Sequence, residues 1–553
     1  MISGPLSLAV SGVHLNVSAI DYAIILIYFG FVVMIGVLLR SRVRSAQDYF
    51  ESRRSLPSWI TGMAFMAANL GALEVMGMGA GAAQYGVMMA DFYWIGAIPA
   101  MVFVGWVMIR FYYRSGANSV PGYLRQRFNE ATRGYQAALF LLMTLMMGGI
   151  NMYAMALIIN FLLKIPFDVS LWVASGITLF YILMGGLSSA IYNEVLQLFM
   201  IFVGLIPLTI LGFIGIGGLG ALQHAAHEPA AFAHVWKFAG SGKNPFGVSW
   251  IPIVFGLGFV LSFGYWGTDF LVMQRAMAAR DEPAARRTPL LAAFPKIVFP
   301  FLAIWPGLAA LTFVHLSANG PLTQSYNMAI PYAMAHFYPS GLLGIGLVAL
   351  IASFMSGQAG NVSAFNTIWT YDIYKSYIRP GSSDQHLVWM GRLATVAGTL
   401  IAVGTAYWVR SFSTIINYEQ LIFSIINAPL LAAVLLGMFW KRTTAKGAFF
   451  GLMAGNAGAL AIFFIQGTSS KAGAGLGDTY WRALISWGIT MVVTIGVSLV
   501  TRPRPDAELE NLTWSLRTAG PRVPASELVW YKRPALLGCV ALAIALALNI
   551  YYA

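Results

Sequence analysis

Two apolar segments of this chain each combine glycine-rich interruptions with a carboxylate. The first covers 67–74 and ends in Glu74, and the second covers 255–269 and ends in Asp269. A membrane-spanning helix keeps its backbone polar groups paired because lipid offers no partner, so a break in mid-span survives only where protein or water lines it. Two broken spans in separate halves of a chain are typical of the binding site of a secondary transporter.

Three more charged residues lie in apolar segments, where a charge is costly and indicates a function by default. Opposite charges lower each other's desolvation cost, so we expect Lys296 to pair with Glu74 or Asp269, with a purely structural ion pair as the alternative. Glu194 lies near one end of its segment, where a structural and a functional role are equally open. Glu419 lies near the outer end of its segment, and we expect it at a solvated rim.

A row of small and hydroxyl-bearing residues shares one helix face. Ser353, Ser356 and Gly357 follow each other at helical spacing. Sodium is a hard ion that prefers oxygen ligands, as calcium and magnesium do. The two hydroxyls, with carbonyls of Ala67 and Leu70 freed at the first break, could form a sodium site. The alternative is that the serines bond to their own helix turn or serve packing.

The composition places these residues in a polytopic, all-α membrane protein. Hydrophobic residues make up 58% of the chain and charged residues 10%, whereas soluble domains carry about 25% charged residues. Spans need about 20 apolar residues. Fourteen segments qualify: 20–40, 57–84, 90–112, 135–162, 169–190, 194–218, 248–272, 288–315, 340–374, 388–409, 413–440, 443–466, 478–500 and 533–552.

The positions of lysine and arginine predict the orientation. With the N-terminus outside, 25 of the 33 basic residues fall in inward-facing loops and their flanks, five in outward loops and three within spans. Cytoplasmic loops carry such an excess, so we expect both termini to be extracytoplasmic and the protein to lie in the cell membrane. The net charge of +13 is then a property of the cytoplasmic face, and no nucleic-acid partner is expected.

The chain resembles the sodium/solute symporter family, and in particular its sodium/glucose cotransporter branch. The resemblance extends from Asp48 to about Gly455 and rests on eight stretches in the family's order. These are DYFESRRSLPSW (48–59), MAANLGALEVMG (66–77), VPGYLRQRF (120–128), GGLSSAIYNEVLQ (185–197), YWGTDFLVMQRAMAA (265–279), AAFPK (292–296), NTIWTYDIYK (366–375) and NYEQ with GMFWKRTTAKGAFFGL (417–452).

The resemblance implies a LeuT-like fold in which two inverted five-helix repeats each begin with a broken helix. It divides the chain into a first helix and loop (1–56), a first repeat (57–218), an extracellular loop (219–247), a second repeat (248–440) and C-terminal helices (441–553). The implied substrate-binding residues are Glu74, Tyr93, Asp269, Lys296 and Gln420. The implied sodium-binding residues are Ala67, Leu70, Ser353 and Ser356, with Glu194 near the cytoplasmic exit.

The chain departs from the family's pattern in two respects. The sodium site of the family usually has two adjacent hydroxyl residues, and here the pair is Ser356 and Gly357. This puts the coupling ion in question, unless Ser353 substitutes. Glu74 stands where sugar-transporting relatives carry a neutral Gln or His, and Tyr93 stands where one of them has a carboxylate. The solute is therefore expected to differ from glucose or galactose.

We predict a sodium-coupled symporter that carries a small polar organic solute, sugar-like or polyol-like, into the cytoplasm by alternating access. No other cofactor is expected, and the partners are the solute, sodium and the lipid bilayer. A proton-coupled transporter, with the proton on Glu74 or Asp269, is the main alternative. An amino-bearing solute is another, against which Lys296 argues because it already neutralises one carboxylate.

Three other classes of protein are disfavoured. A symporter-derived sensor usually carries an appended signalling domain, and the loop 502–530 is too short to be one. An integral-membrane enzyme would need a nucleophile or a metal-ligand spacing beside its carboxylates, and neither is present in the sequence. No phosphate-cradling GxxxxGK loop occurs, which argues against an ATP-driven pump.

Overall fold

The computed structural model describes residues 17–40, 56–117, 119–183, 187–218, 232–314, 316, 324–469, 475–518, 529 and 532–553. Over these ranges the chain is helical with short connections. The helices of the first half are α1 (Ala19–Arg40), α2 (Ser58–Asn69), α3 (Leu73–Ala90), α4 (Phe92–Ser115), α5 (Val120–Arg127), α6 (Glu130–Leu163), α7 (Phe167–Leu183) and α8 (Leu187–Gly215).

Apart from short 3-10 turns, the described part of the second half contains ten more helices. They are α9 (Pro252–Thr268), α10 (Phe270–Met277), α11 (Glu282–Ala310), α12 (Ala329–Phe337), α13 (Leu342–Ile378), α14 (Asp384–Val409), α15 (Ile415–Phe439), α16 (Ala445–Ser469), α17 (Leu476–Val500) and α18 (Pro534–Tyr551). The isolated β-bridge recorded in the described ranges joins Leu56 to Ala279, so it ties the start of α2 to the end of α10.

Most of these helices are long and apolar enough to cross a membrane. Among the described residues, ten single helices qualify by length and composition, and two bent pairs bring the number to as many as twelve. The helices α1 and α7 contain shorter apolar stretches. Each of the fourteen segments predicted from the sequence overlaps one of the described helices or bent pairs, with ends that differ by a few residues. The all-α, membrane-spanning architecture is therefore confirmed.

Both predicted breaks are present. Helices α2 and α3 meet at an angle of 61°, and α9 and α10 meet at 49°. At the first break Leu70 leaves helical geometry with φ −77° and ψ 50°. At the second break Asp269 is extended, with φ −73° and ψ 122°. The glycines and carboxylates that interrupt the apolar pattern thus mark the points at which the helices bend.

The surrounding helices differ in how deeply they are buried. In α13 and in α15, 89% of the most apolar window is buried inside the protein, against 28% in α17 and 22% in α18. Helices α13 and α15 therefore form the centre of the bundle beside the breaks, and α17 and α18 present most of their surface outward. An apolar composition alone does not distinguish a helix buried in the bundle from one that faces outward, because lipid and a protein interior both accept apolar side chains.

Candidate functional site

A small cavity lies beside the first break, between α3, α4, α9, α11 and α15. Its volume is about 50 Å³, which is little more than one or two water molecules occupy. Drug-sized ligands need clefts of about 300–1,000 Å³, so the walls of this cavity are closed on each other. The lining residues are Asn69, Leu73, Glu74, Met78, Phe92, Tyr93, Ala97, Leu257, Leu261, Ser262, Tyr265, Trp266, Lys296, Ile416, Glu419, Gln420 and Phe423.

An ion pair crosses one side of the cavity. Lys296 Nζ lies 2.8 Å from Glu74 Oε1, which confirms the expected pairing. The Tyr93 hydroxyl donates to Glu74 Oε2 at 2.5 Å, and Lys296 also donates to Asn69 Oδ1. The pair links α3 to α11, and its polar groups satisfy each other in a site that is almost closed to solvent.

Aromatic faces surround the same ammonium. Lys296 Nζ lies 4.8 Å from the ring centre of Tyr93, 5.3 Å from that of Trp266 and 5.7 Å from that of Phe299. A cation within about 6 Å of an aromatic face is attracted by the ring quadrupole. Lys296 is 1% exposed, so these rings replace part of the hydration that its charge loses.

The opposite wall brings a second carboxylate into the cavity. Glu419 is 5% exposed and lines the cavity next to Gln420, whose Nε2 donates to Glu419 Oε2 at 2.9 Å. The expectation of a solvated rim position is therefore wrong. Helix α15 begins at Ile415, one turn before Glu419, and this first turn already lies against the other helices. Position along an apolar segment does not reveal such depth.

The structure places Asp269 elsewhere. Its carboxylate accepts a hydrogen bond from the Leu271 backbone N–H at 2.9 Å and caps α10. Asp269 is 4% exposed but is not among the residues that line the cavity. The structure thus brings together Glu74, Tyr93, Lys296 and Gln420 of the predicted substrate residues, and it leaves Asp269 outside the group.

The four predicted sodium ligands lie together. Ser356 Oγ donates to the Ala67 carbonyl oxygen at 2.9 Å, and Ser353 Oγ donates to the Leu70 carbonyl oxygen at 2.7 Å. All four residues are fully buried. Two hydroxyls of α13, one carbonyl of α2 and the carbonyl of Leu70, just after α2, thus place four oxygen atoms at the first break. Oxygen-only donors suit a hard monovalent cation.

The contact between Gly357 and Gly71 accounts for the missing second hydroxyl. A Cβ at Gly357 would lie 2.7 Å from Gly71 Cα and 2.6 Å from Asn151 Oδ1. The same Asn151 oxygen accepts the Ala72 backbone N–H at 3.0 Å and so satisfies a donor exposed by the break. Helix α13 therefore approaches the break too closely to carry a side chain at position 357.

Glu194 is held in a separate buried ion pair. Both of its carboxylate oxygens accept hydrogen bonds from Arg275, and both residues are fully buried. Arg275 also donates to the Leu271 carbonyl and to the Gln274 side chain. The pair joins α8 to α10, just beyond the second break.

Sequence reasoning missed several polar residues of the site, among them Asn69, Tyr265 and Asn151. Asn69 accepts from Lys296 and donates to the Tyr265 hydroxyl at 2.9 Å, and Asn151 pairs the broken backbone. Asn69 belongs to the interrupted segment itself, so its place in the break was a usable signal. Tyr265 and Asn151 offered no such signal in the sequence, because a single aromatic or amide residue in an apolar segment has many structural uses.

The chain is 28% identical over 476 residues to a sodium/glucose cotransporter of Vibrio parahaemolyticus, covering 82% of this chain and 87% of the relative. It is 27% identical over 550 residues to sodium/glucose cotransporter 1 of Ovis aries, covering 91% and 82% respectively.

The fold is similar to that of a solved Na⁺-coupled sialic acid symporter in a substrate-bound outward-open state. The TM-score is 0.72 at 20% sequence identity, over 88% of this chain and 99% of the other. This likeness confirms the predicted LeuT-like fold. The model of the sodium:solute symporter family matches residues 49–455. Because that match covers well over half of the sequence, the chain belongs to the sodium:solute symporter family.

Proposed function

We propose that the protein carries a small, hydroxyl-rich organic solute into the cytoplasm by alternating access, with sodium as the coupling ion. Sodium coupling follows from the family. The finer assignment, a sugar-like or polyol-like solute, is supported by the residues of the cavity. The observation that carries the proposal is that one broken helix supplies both the sodium-facing carbonyls and the polar residues of the cavity.

The sodium step uses the oxygens of α2 and α13. In the structure the hydroxyls of Ser353 and Ser356 donate to the carbonyls of Leu70 and Ala67. A hydroxyl rotates freely and has two acceptor lone pairs. Both hydroxyls can therefore turn their hydrogens away and direct lone pairs to an ion shared with the carbonyls. Sodium would then hold α2 against α13.

The solute step uses the cavity wall around Glu74. A carboxylate accepts several hydrogen bonds, which suits vicinal hydroxyls of a sugar or polyol. Gln420 supplies an amide whose Oε1 is buried and has no partner among the described residues. Tyr93 and Trp266 provide faces for the apolar side of a ring. The cavity must widen to admit such a solute, since its present volume is about 50 Å³.

Coupling between the two steps runs through the break. Ala67 and Leu70 contribute to the sodium site, whereas Asn69 and Glu74 line the cavity only a few residues away. An ion that fixes the carbonyls also fixes the backbone that presents Asn69 and Glu74. Sodium would thus raise the affinity for solute, and linkage requires that solute raise the affinity for sodium equally.

We further propose that the two repeats occupy 57–218 and 248–440, and that the basic loops face the cytoplasm of a cell whose plasma or inner membrane holds the protein. In that orientation both termini are extracytoplasmic. Glu194 would then lie on the cytoplasmic side, where its pair with Arg275 closes the path between α8 and α10. Breaking this pair would be part of inward opening.

Sodium-dependent counterflow in proteoliposomes tests the proposal. We expect uptake of a labelled sugar or polyol by the wild type in sodium but not in potassium, and a reduced sodium affinity in Ser356→Ala. Ser382→Ala, at a partly exposed serine in the connection between α13 and α14 and outside both sites, is the matched control and should behave as the wild type. Uptake that is equal in the two salts, or unchanged sodium affinity in Ser356→Ala, would refute the proposed sodium site.

A further inference from the structure

The charges that line the cavity do not balance. Of the described residues that line it, three carry charge: Glu74, Lys296 and Glu419. Glu74 is matched by Lys296 at 2.8 Å. Glu419 has no cation at salt-bridge distance in the structure's described part, and the single side-chain hydrogen bond shown for it there comes from the neutral Gln420. The cavity therefore has one carboxylate more than it has ammonium groups.

Such an excess is costly in a closed site. A buried carboxylate without a counter-charge loses hydration that one neutral hydrogen-bond donor replaces only in part. Glu419 is 5% exposed, and the adjacent Gln420 Oε1 is buried without a partner in the described chain. Two neighbouring side chains of α15 thus both offer unused acceptor atoms. A ligand that only donates hydrogen bonds and carries one positive charge would satisfy both.

We infer that the transported solute carries an ammonium group in addition to its hydroxyls, and that Glu419 and Gln420 bind that ammonium. This inference rests on the proposed function and narrows its substrate class to amino sugars or amino polyols. An ammonium has three donors and no acceptor, so it can serve Glu419 and Gln420 Oε1 at once. Lys296 no longer argues against such a solute, because it is matched to Glu74 and leaves Glu419 unmatched.

The walls beside Glu419 suit an organic cation better than a bare ion. Phe423 lies one turn along the same helix and stacks on Tyr265. The two ring centres are 5.1 Å apart and the ring planes are inclined at 27°. Trp266 also lines the cavity. Aromatic faces attract an ammonium, whereas sodium requires a shell of oxygens. A proton on Glu419 would also remove its charge, and the pH dependence of binding separates that case from an ammonium.

Matched solute pairs test the inference directly. The probes are D-glucose with D-glucosamine, and D-glucitol with 1-amino-1-deoxy-D-glucitol, so each pair differs by one ammonium for one hydroxyl. N-acetyl-D-glucosamine controls for the added bulk without the charge. Affinity is measured as solute-dependent thermal stabilisation of the purified protein in sodium and in potassium. We expect the ammonium member of a pair to bind in sodium about tenfold or more tightly than its neutral twin.

Variants of Glu419 test whether this carboxylate causes the preference for the ammonium solute. Glu419→Gln should reduce the ratio of ammonium to neutral affinity by about tenfold or more, whereas Glu419→Asp should retain part of it. Glu510→Gln, at an exposed loop carboxylate of the same type, should leave the ratio unchanged. Melting without solute is recorded for each variant. If Glu419→Gln does not fold, the comparison of Glu419→Asp with the wild type still tests the position of the charge.

Other outcomes overturn the inference in distinct ways. Tighter sodium-dependent binding of the neutral twins, with a ratio unaffected by Glu419→Gln, would refute it while the proposed function stands. If the neutral twins bind with a sodium Hill coefficient near two in the wild type and near one in Glu419→Gln, Glu419 binds a second sodium and the inference is refuted. Neutral-twin binding that strengthens with acid only in the wild type would assign it to a proton. If no probe binds in a sodium-dependent way, the proposed function itself is refuted.

Discussion

Replacing Lys296 should be more damaging than replacing its partner Glu74. Lys296 is 1% exposed and contacts Glu74, Asn69 and three aromatic rings. Removing one member of a buried ion pair costs about 3–5 kcal/mol. In Lys296→Met the cavity keeps Glu74 and Glu419 with no cation, so we expect the upper part of that range. In Glu74→Gln the remaining Lys296 and Glu419 balance each other, and we expect a smaller loss.

The double variant separates the ion pair from other effects of the substitutions. Lys296→Met combined with Glu74→Gln removes both charges of the pair, so its loss should be smaller than the sum of the single losses by about 2 kcal/mol or more. Thermal unfolding of the four proteins in one detergent at one salt concentration gives the comparison. Additive losses, or a Glu74→Gln variant less stable than Lys296→Met, would refute the charge count on which this reasoning depends.

Three further predictions concern the surroundings of the site. Gly357→Ser should lower stability by about 1–3 kcal/mol and weaken sodium binding, because its Cβ would lie 2.7 Å from Gly71 Cα; thermal unfolding with a sodium titration measures both. Asn151→Ala should cost about 1–3 kcal/mol in thermal unfolding, because the Ala72 N–H loses its acceptor. Asp91→Asn should preserve or raise the melting temperature, because neither buried carboxylate oxygen has a partner in the described chain, whereas the same change at Asp372, which pairs with Arg133 at 3.0 Å, should lower it.

The local features of the site could be predicted from the sequence. Glycines interrupt two apolar segments, and the structure bends at both. Lys296 needs a counter-charge in an apolar segment, and the structure pairs it with Glu74. The serines of α13 share one face because helical periodicity alone determines which side chains lie together. These features depend on spacing within one segment or on a charge that cannot remain unpaired.

The tertiary structure decided which segments meet and how deep each residue lies. Glu419 lies in the cavity because the first turn of α15 packs against the other helices, and Asp269 lies outside it because its carboxylate turns back to cap α10. Gly357 has no side chain because α13 meets Gly71 at that point. Periodicity determines which side chains share one face of a helix. What that face packs against depends on the tilt and depth of the helix, and the apolar pattern does not reveal these because lipid and protein accept the same side chains.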